Sequence, residues 1–154
     1  KAGHGAVDPD KDDRVSFGIS VGGPTPRDAA FWGWTADYSR VLSDKWSVAT
    51  SIAFDRETEW FGGGLEKTAD TYTFIVVGNY AISDKWSFGG GAGKGFLSDD
   101  NPDHKLKFET GDFSVGLSVG YAFSARTGLS FSLERNITQN ETVLSSDLTW
   151  GWDF

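Results

Sequence analysis

Few side chains in this sequence are suited to acid–base or metal chemistry. There are two histidines and no cysteine. Disulfides, thiol nucleophiles and cysteine-ligated metal centres are therefore excluded, and a multi-histidine site is nearly so. His4 sits in an opening segment rich in Gly and Asp and reads as solvated. His104 closes the run Ser98-Asp99-Asp100-Asn101-Pro102-Asp103-His104. An imidazole beside carboxylates could act there as general base for Ser98 or for a water. Proline and repeated aspartate describe a loop tip, however, and a proton-transfer pair needs a rigid frame. A solvated acidic loop is the better reading, and its spacing does not match a calcium loop. The tract Gly89-Gly90-Gly91-Ala92-Gly93-Lys94-Gly95 invites comparison with a phosphate loop, but that motif needs Gly where Phe88 stands and Ser or Thr where Gly95 stands. It reads instead as a strand nearly bare on one face, with Ile75 and Val77 of the preceding strand leaning over Gly89, Gly91 and Gly93. The sequons at Asn136 and Asn140 carry no meaning without a eukaryotic secretory setting.

The elements that must position any site are strands. At 154 residues the chain makes one domain, and its net charge of −8 gives no footprint for nucleic acid. The longest apolar run, Phe74 to Val77, is far too short for a membrane helix. Period-two alternation dominates. Phe113, Val115, Leu117, Val119, Tyr121 and Phe123 interleave with Ser114, Gly116, Ser118, Gly120 and Ala122, and Val15, Phe17, Ile19 and Val21 with Ser16, Gly18, Ser20 and Gly22. Further segments follow around Trp34, Ile52, Phe74, Phe88, Phe131 and Trp150, giving eight strands. An even number lets an up-and-down meander close with both termini at one end.

An internal repeat supports that count. Leu42-Ser43-Asp44-Lys45-Trp46 recurs as Ile82-Ser83-Asp84-Lys85-Trp86, with a looser copy at Phe123-Ser124-Ala125-Arg126-Thr127-Gly128-Leu129. Pairing Leu42 with Trp46, and Ile82 with Trp86, makes three-residue hairpin loops that keep the apolar faces together. Pairing Phe123 with Leu129 makes a five-residue loop of the same parity. The connections at the other end are expected to be mostly longer and more polar, at 23–30, 56–70, 97–109 and 138–141. Residues 1–13 read as a flexible leader and 14–154 as the barrel.

The faces decide the solvent. The polar face is Ser, Gly, Thr and Ala with few charges, unlike a water-exposed exterior. The apolar face carries too many aromatics to fit inside a narrow barrel. Those aromatics gather near the strand ends, with Tyr38, Trp46, Tyr80, Trp86 and Tyr121 on the turn side and Trp32, Phe54, Tyr72 and Phe96 on the loop side. Two such girdles mark two membrane interfaces. The expected fold is all-β: an eight-stranded antiparallel up-and-down transmembrane β-barrel.

On these features the chain resembles the small eight-stranded outer-membrane barrels of Gram-negative bacteria, the group of outer-membrane proteins A and X, over about 14–154. The most specific element is the C-terminus, where Leu148, Trp150, Trp152 and Phe154 alternate like that family's assembly signal for the barrel-insertion machinery. The resemblance implies an outer-membrane location with both termini and the turns in the periplasm, contact with outer-membrane lipid and lipopolysaccharide, and a monomer. It leaves function open among structural or surface-interacting roles, narrow channels and lipid A-modifying enzymes. The residues favour the first, without catalysis, cofactor or metal. The second is the nearest rival, and the enzyme rests on His104 alone.

Closure places Arg14 at the start of the first strand beside Asp153 at the end of the last, a seam contact at the lumen-facing parity. The lumen set is small and its ionisable members acidic, with Asp37, Glu134 and Asp147 deep and Arg14 basic near one end. Uncompensated carboxylates in a confined lumen hold water or cations. Ile75, Val77 and Val143 are expected to break the path into closed pockets. Trp60 and Phe61, placed in the second long loop, are an apolar pair suited to dipping into lipid or touching a partner.

Overall fold

The computed structural model describes residues 12–25, 28–61, 63–98 and 113–154. Among them the chain forms β1 (Asp13–Thr25), β2 (Ala29–Val41), β3 (Trp46–Phe61), β4 (Leu65–Ala81), β5 (Trp86–Ser98), β6 (Phe113–Ala122), β7 (Thr127–Asn136) and β8 (Glu141–Asp153). Each strand pairs antiparallel with the next, and β8 returns to β1 to close the barrel. Register partners followed once around the ring run from Val15 through Tyr38, Thr50, Val76, Ala92, Val115, Arg135 and Thr142. They return to β1 at Thr25, ten residues further on. That stagger tilts the strands by roughly 35–45° and fixes which residues share a level of the lumen.

β-Branched and aromatic residues occupy every second position because each strand divides two solvents. Phe17, Ile19, Val21, Ile52, Phe74, Leu117, Val119, Phe131 and Leu133 are exposed on the outer wall, while Ser16, Ser20, Ser47, Ser51, Ser87 and Ser114 are buried inside. The polarity is inverted relative to a water-soluble barrel, as lipid outside and a confined lumen require. Aromatic pairs brace both rims. Trp46 packs on Tyr80 and Trp86 on Tyr121 at the turn end, with centroids 5.0 and 4.8 Å apart, and Phe54 packs on Tyr72 at 5.1 Å at the loop end.

The three tight turns share one design. The Leu42 N–H donates to the Trp46 carbonyl, Ile82 to Trp86, and Phe123 to Thr127. In each turn the leading serine Oγ accepts the N–H three residues on: Trp46 to Ser43 at 3.2 Å, Trp86 to Ser83 at 3.1 Å and Thr127 to Ser124 at 3.1 Å. The five-residue third loop is thereby corrected. Phe123 faces Thr127 across three residues, and Leu129 pairs with Tyr121.

Two expected long connections are also corrected. β1 and β2 are separated only by 26–28, and the segment 56–70 is mostly hairpin: β3 runs to Phe61 and β4 starts at Leu65. Gly63 and Gly64, with φ of 89° and 82°, make a turn that other residues rarely adopt. Trp60 therefore stands on β3 rather than in a loop, exposed, its N–H bonded to the Asp28 carbonyl at 3.0 Å. β1 begins at Asp13, whose carboxylate accepts the Tyr38 hydroxyl at 2.8 Å. Residues 1–11, with His4, and 99–112, with His104, lie outside the described residues.

Beyond the loop-end girdle the hairpin is held by a bidentate pair. Arg56 Nε and Nη2 donate to Asp70 Oδ1 and Oδ2 at 2.7 and 2.8 Å. These hydrogen bonds hold the Asp70 carboxyl below its ordinary range; partial burial opposes them, and the charge of Arg56 adds to the lowering. Because the folded pKa is depressed, this contribution is full above an unfolded value of about 3.9 and fades as pH falls through the folded value. Arg56 is exposed and Asp70 only half-buried, so the contribution is under about 1 kcal/mol. Carboxyl NMR of the barrel in micelles should find Asp70 titrating below the ordinary carboxylate range, and at a higher pH in Arg56→Gln. An unchanged midpoint in the variant contradicts the pairing.

Candidate functional site

A cavity of about 460 Å³ runs along the lumen from Glu59 and Glu141 at the loop end to Ser39 and Thr149 near the turn end. Asp37, Glu134 and Asp147 all line it, each at an inward position of its strand. Asp55, Glu57, Glu59 and Glu141 line it as well. Treating 56–70 as loop hides Glu57 and Glu59 from the sequence, and Asp55, just before that segment, is not singled out there. No Lys or Arg is among the described residues that line the cavity.

Strand register gives most of the deep carboxylates a hydroxyl. Ser16, opposite Asp37, donates to its Oδ2 at 3.2 Å. Ser130, opposite Asp147, donates to its Oδ2 at 3.4 Å. Ser20 donates to Asp55 Oδ1 at 3.3 Å, reaching past the intervening Gly33. One hydroxyl satisfies only part of a carboxylate, which accepts about four hydrogen bonds when ionised. Among the described residues no cluster of His, Cys, Asp or Glu is placed to hold a metal ion. The glycine tract lies in β5, where Ile75 and Val77 fill the space over Gly93 and Gly91. Ile75, Val77 and Val143 form part of the cavity wall.

The turn end is packed. Arg14 is 3% exposed and register partner to Asp153; its Nη1 donates to Asp153 Oδ1 at 3.2 Å and to the Ala125 carbonyl at 2.9 Å. Its guanidinium lies over Gly151, in the space a side chain there would need. Asn79, Ser47, Ser87, Ala81 and Ala122 are buried around the same level. Asn79, 2% exposed, leaves its Oδ1 without a partner.

The C-terminal residues lie apart from the lumen. Leu148 and Trp152 are exposed and Trp150 half-buried on the outer face of β8, and Phe154, one residue beyond the strand, is exposed. Phe61 ends β3 opposite Leu65.

A closed, tilted, inside-out barrel of eight strands with a polar lumen defines an outer-membrane β-barrel. The chain belongs to the family described as putative MetA-pathway of phenol degradation, whose model matches residues 27–150. In fold it is similar to the outer-membrane protein Ail of Yersinia pestis in a phospholipid bilayer nanodisc, with a TM-score of 0.62 at 17% identity over 94% of this chain and 100% of that one. It is also similar to the N-terminal β-barrel domain of Pseudomonas aeruginosa OprF, with a TM-score of 0.60 at 9% identity over 92% and 99%. Pseudomonas aeruginosa OprG gives 0.50 at 13% over 94% and 96%. No curated protein sequence matches the chain.

Proposed function

We propose that this barrel admits small solutes from the cell exterior into an acid-lined lumen, with its loop end outside the cell and its turn end and both termini in the periplasm. The observation that carries this reading is the cavity itself, lined by seven carboxylates with no lysine or arginine among its described lining residues. Fixed negative charge in a narrow, low-dielectric space concentrates cations and repels anions. The family description, a pathway of phenol degradation, concerns small-molecule catabolism and supports a solute-handling role. The protein acts without catalysis, as a monomer, its outer wall contacting outer-membrane lipid and lipopolysaccharide. Leu148, Trp150, Trp152 and Phe154 engage the assembly machinery during insertion. The packed turn end makes the floor the narrowest point.

A structural or surface-contact role is the second reading. It is supported by the β3–β4 hairpin, which rises past the girdle and presents the exposed Trp60. Planar-bilayer recording under a salt gradient separates the two. The expected result is a small current carried by cations. Current carried by anions contradicts the charge argument. No current from either the native chain or Arg14→Ala contradicts passage and leaves the surface role.

A further inference from the structure

Resting on the proposed solute-accepting lumen, we infer that its ligands are small organic ammonium ions with an apolar body, bound in the lower half of the cavity between Asp37, Asp147, Asn79, Ile75 and Val77. β4 stands four strands from β8 in the ring of eight, so Ile75 and Val77 face Asp147 across the lumen. The two apolar side chains cover Gly91 and Gly93, which makes that wall smooth and hydrocarbon-like. Asp147 on the opposite wall and Asp37 on β2, a quarter turn round from β4, each receive one serine hydroxyl, from Ser130 and Ser16 respectively. Among the described residues lining the cavity no cation neutralises them.

Asn79 is an independent pointer to the same ligand. It lines the same cavity, is 2% exposed, and its Oδ1 has no hydrogen-bond partner. That oxygen stands on the lumen side of Gly89, 2.6 Å from where a Cβ would sit, with Ser118 Oγ at 2.5 Å from the same point. A buried carbonyl oxygen left unpaired is costly, and only a donor can satisfy it. An ammonium group supplies three donors and a positive charge. Its apolar body then lies on Ile75 and Val77, as small-molecule sites usually combine an apolar wall with a few polar groups.

Three probes of nearly equal size separate charge from shape: benzylammonium, benzyl alcohol and benzoate. Each is titrated into the full chain in neutral phosphatidylcholine nanodiscs, with binding read by calorimetry and by NMR shifts at Ile75 and Val77. Benzylammonium should bind at least about tenfold more tightly than benzyl alcohol, the difference expected of a charge-assisted hydrogen bond, and benzoate should not bind. Asp147→Asn and Asp37→Asn should each weaken benzylammonium about tenfold and leave benzyl alcohol unchanged. Asn79→Ala should weaken it less, and heat-modifiability on a gel verifies that every variant is folded. Equal binding of benzylammonium and benzyl alcohol, or carboxamide variants that bind like the native chain, overturns the ammonium assignment while the solute-accepting lumen stands. Failure of all three probes to bind, together with absence of current, overturns both.

Discussion

Lysine in place of Leu117 should prevent insertion of the barrel, while lysine in place of Ser118, one residue along the same strand, should be tolerated. Leu117 is 54% exposed on the outer wall, midway along β6 between Phe113 near the loop end and Tyr121 at the turn-end girdle. A lysine there places its charge near the bilayer midplane, at a cost of about 2–4 kcal/mol, and both girdles are too distant for it to escape easily. Ser118 points the other way and lines the acid-rich cavity. A lysine at that position gains carboxylate neighbours instead of lipid. Heat-modifiability after refolding into lipid vesicles reads both variants. Equal loss of the folded band would mean that the two faces of β6 have been assigned wrongly.

Removing the guanidinium of Arg14 should open the turn end of the lumen. Arg14→Ala vacates the volume over Gly151 and leaves the Asp153 carboxylate and the Ala125 carbonyl without their shared donor. Breaking such a buried pair costs on the order of 3 kcal/mol, so the variant should unfold at lower denaturant concentration. It should also show single-channel steps several-fold larger than those of the native chain. Gly151→Ala tests the same volume without deleting the arginine. The new methyl must displace the guanidinium, the mobile end of a flexible side chain, so the barrel still forms with its floor disturbed. Conductance should rise in both variants. If neither differs from the native chain, the floor is closed by Asn79, Ser47, Ser87 and Ala122 alone.

The eight strands and the inverted faces are legible in the sequence because lipid imposes apolar residues at every second position, and that demand writes itself as alternation. The same rule explains what was missed. Past the girdle the outward positions of β3 become Arg56, Thr58 and Trp60, and the inward ones Asp55, Glu57 and Glu59. Lipid no longer selects the outward residue there, so the alternation stops while the hydrogen-bond ladder continues to Phe61. A segment that is strand in the structure therefore reads as loop, and the lumen carboxylates Glu57 and Glu59 are lost with it. The third turn was misread for a related reason. Phe123 lies opposite Thr127, a residue without bulk, and the search for an apolar partner passed over it to Leu129. Asp37, Glu134 and Asp147 were accessible to parity alone, since each lies where lipid still dictates the register. The Arg14–Asp153 contact followed from closure. The Ala125 carbonyl and the bare surface of Gly151 depend on how a turn curls beneath the barrel, which no periodicity encodes.

The acid-lined lumen open at the loop end can be tested directly because the chain has no cysteine to confuse labelling. Thr73→Cys places one thiol on the cavity wall at mid-strand, and Leu117→Cys places one on the lipid face. Intact cells are exposed to membrane-impermeant thiosulfonates of matched size, one carrying a trimethylammonium and the other a sulfonate. The thiol at position 73 should react with the cationic reagent at least about tenfold faster than with the anionic one, as a negative, narrow cleft focuses cations. The thiol at position 117 should react with neither. Equal rates at position 73, a faster sulfonate reaction, or no reaction there at all would contradict the account.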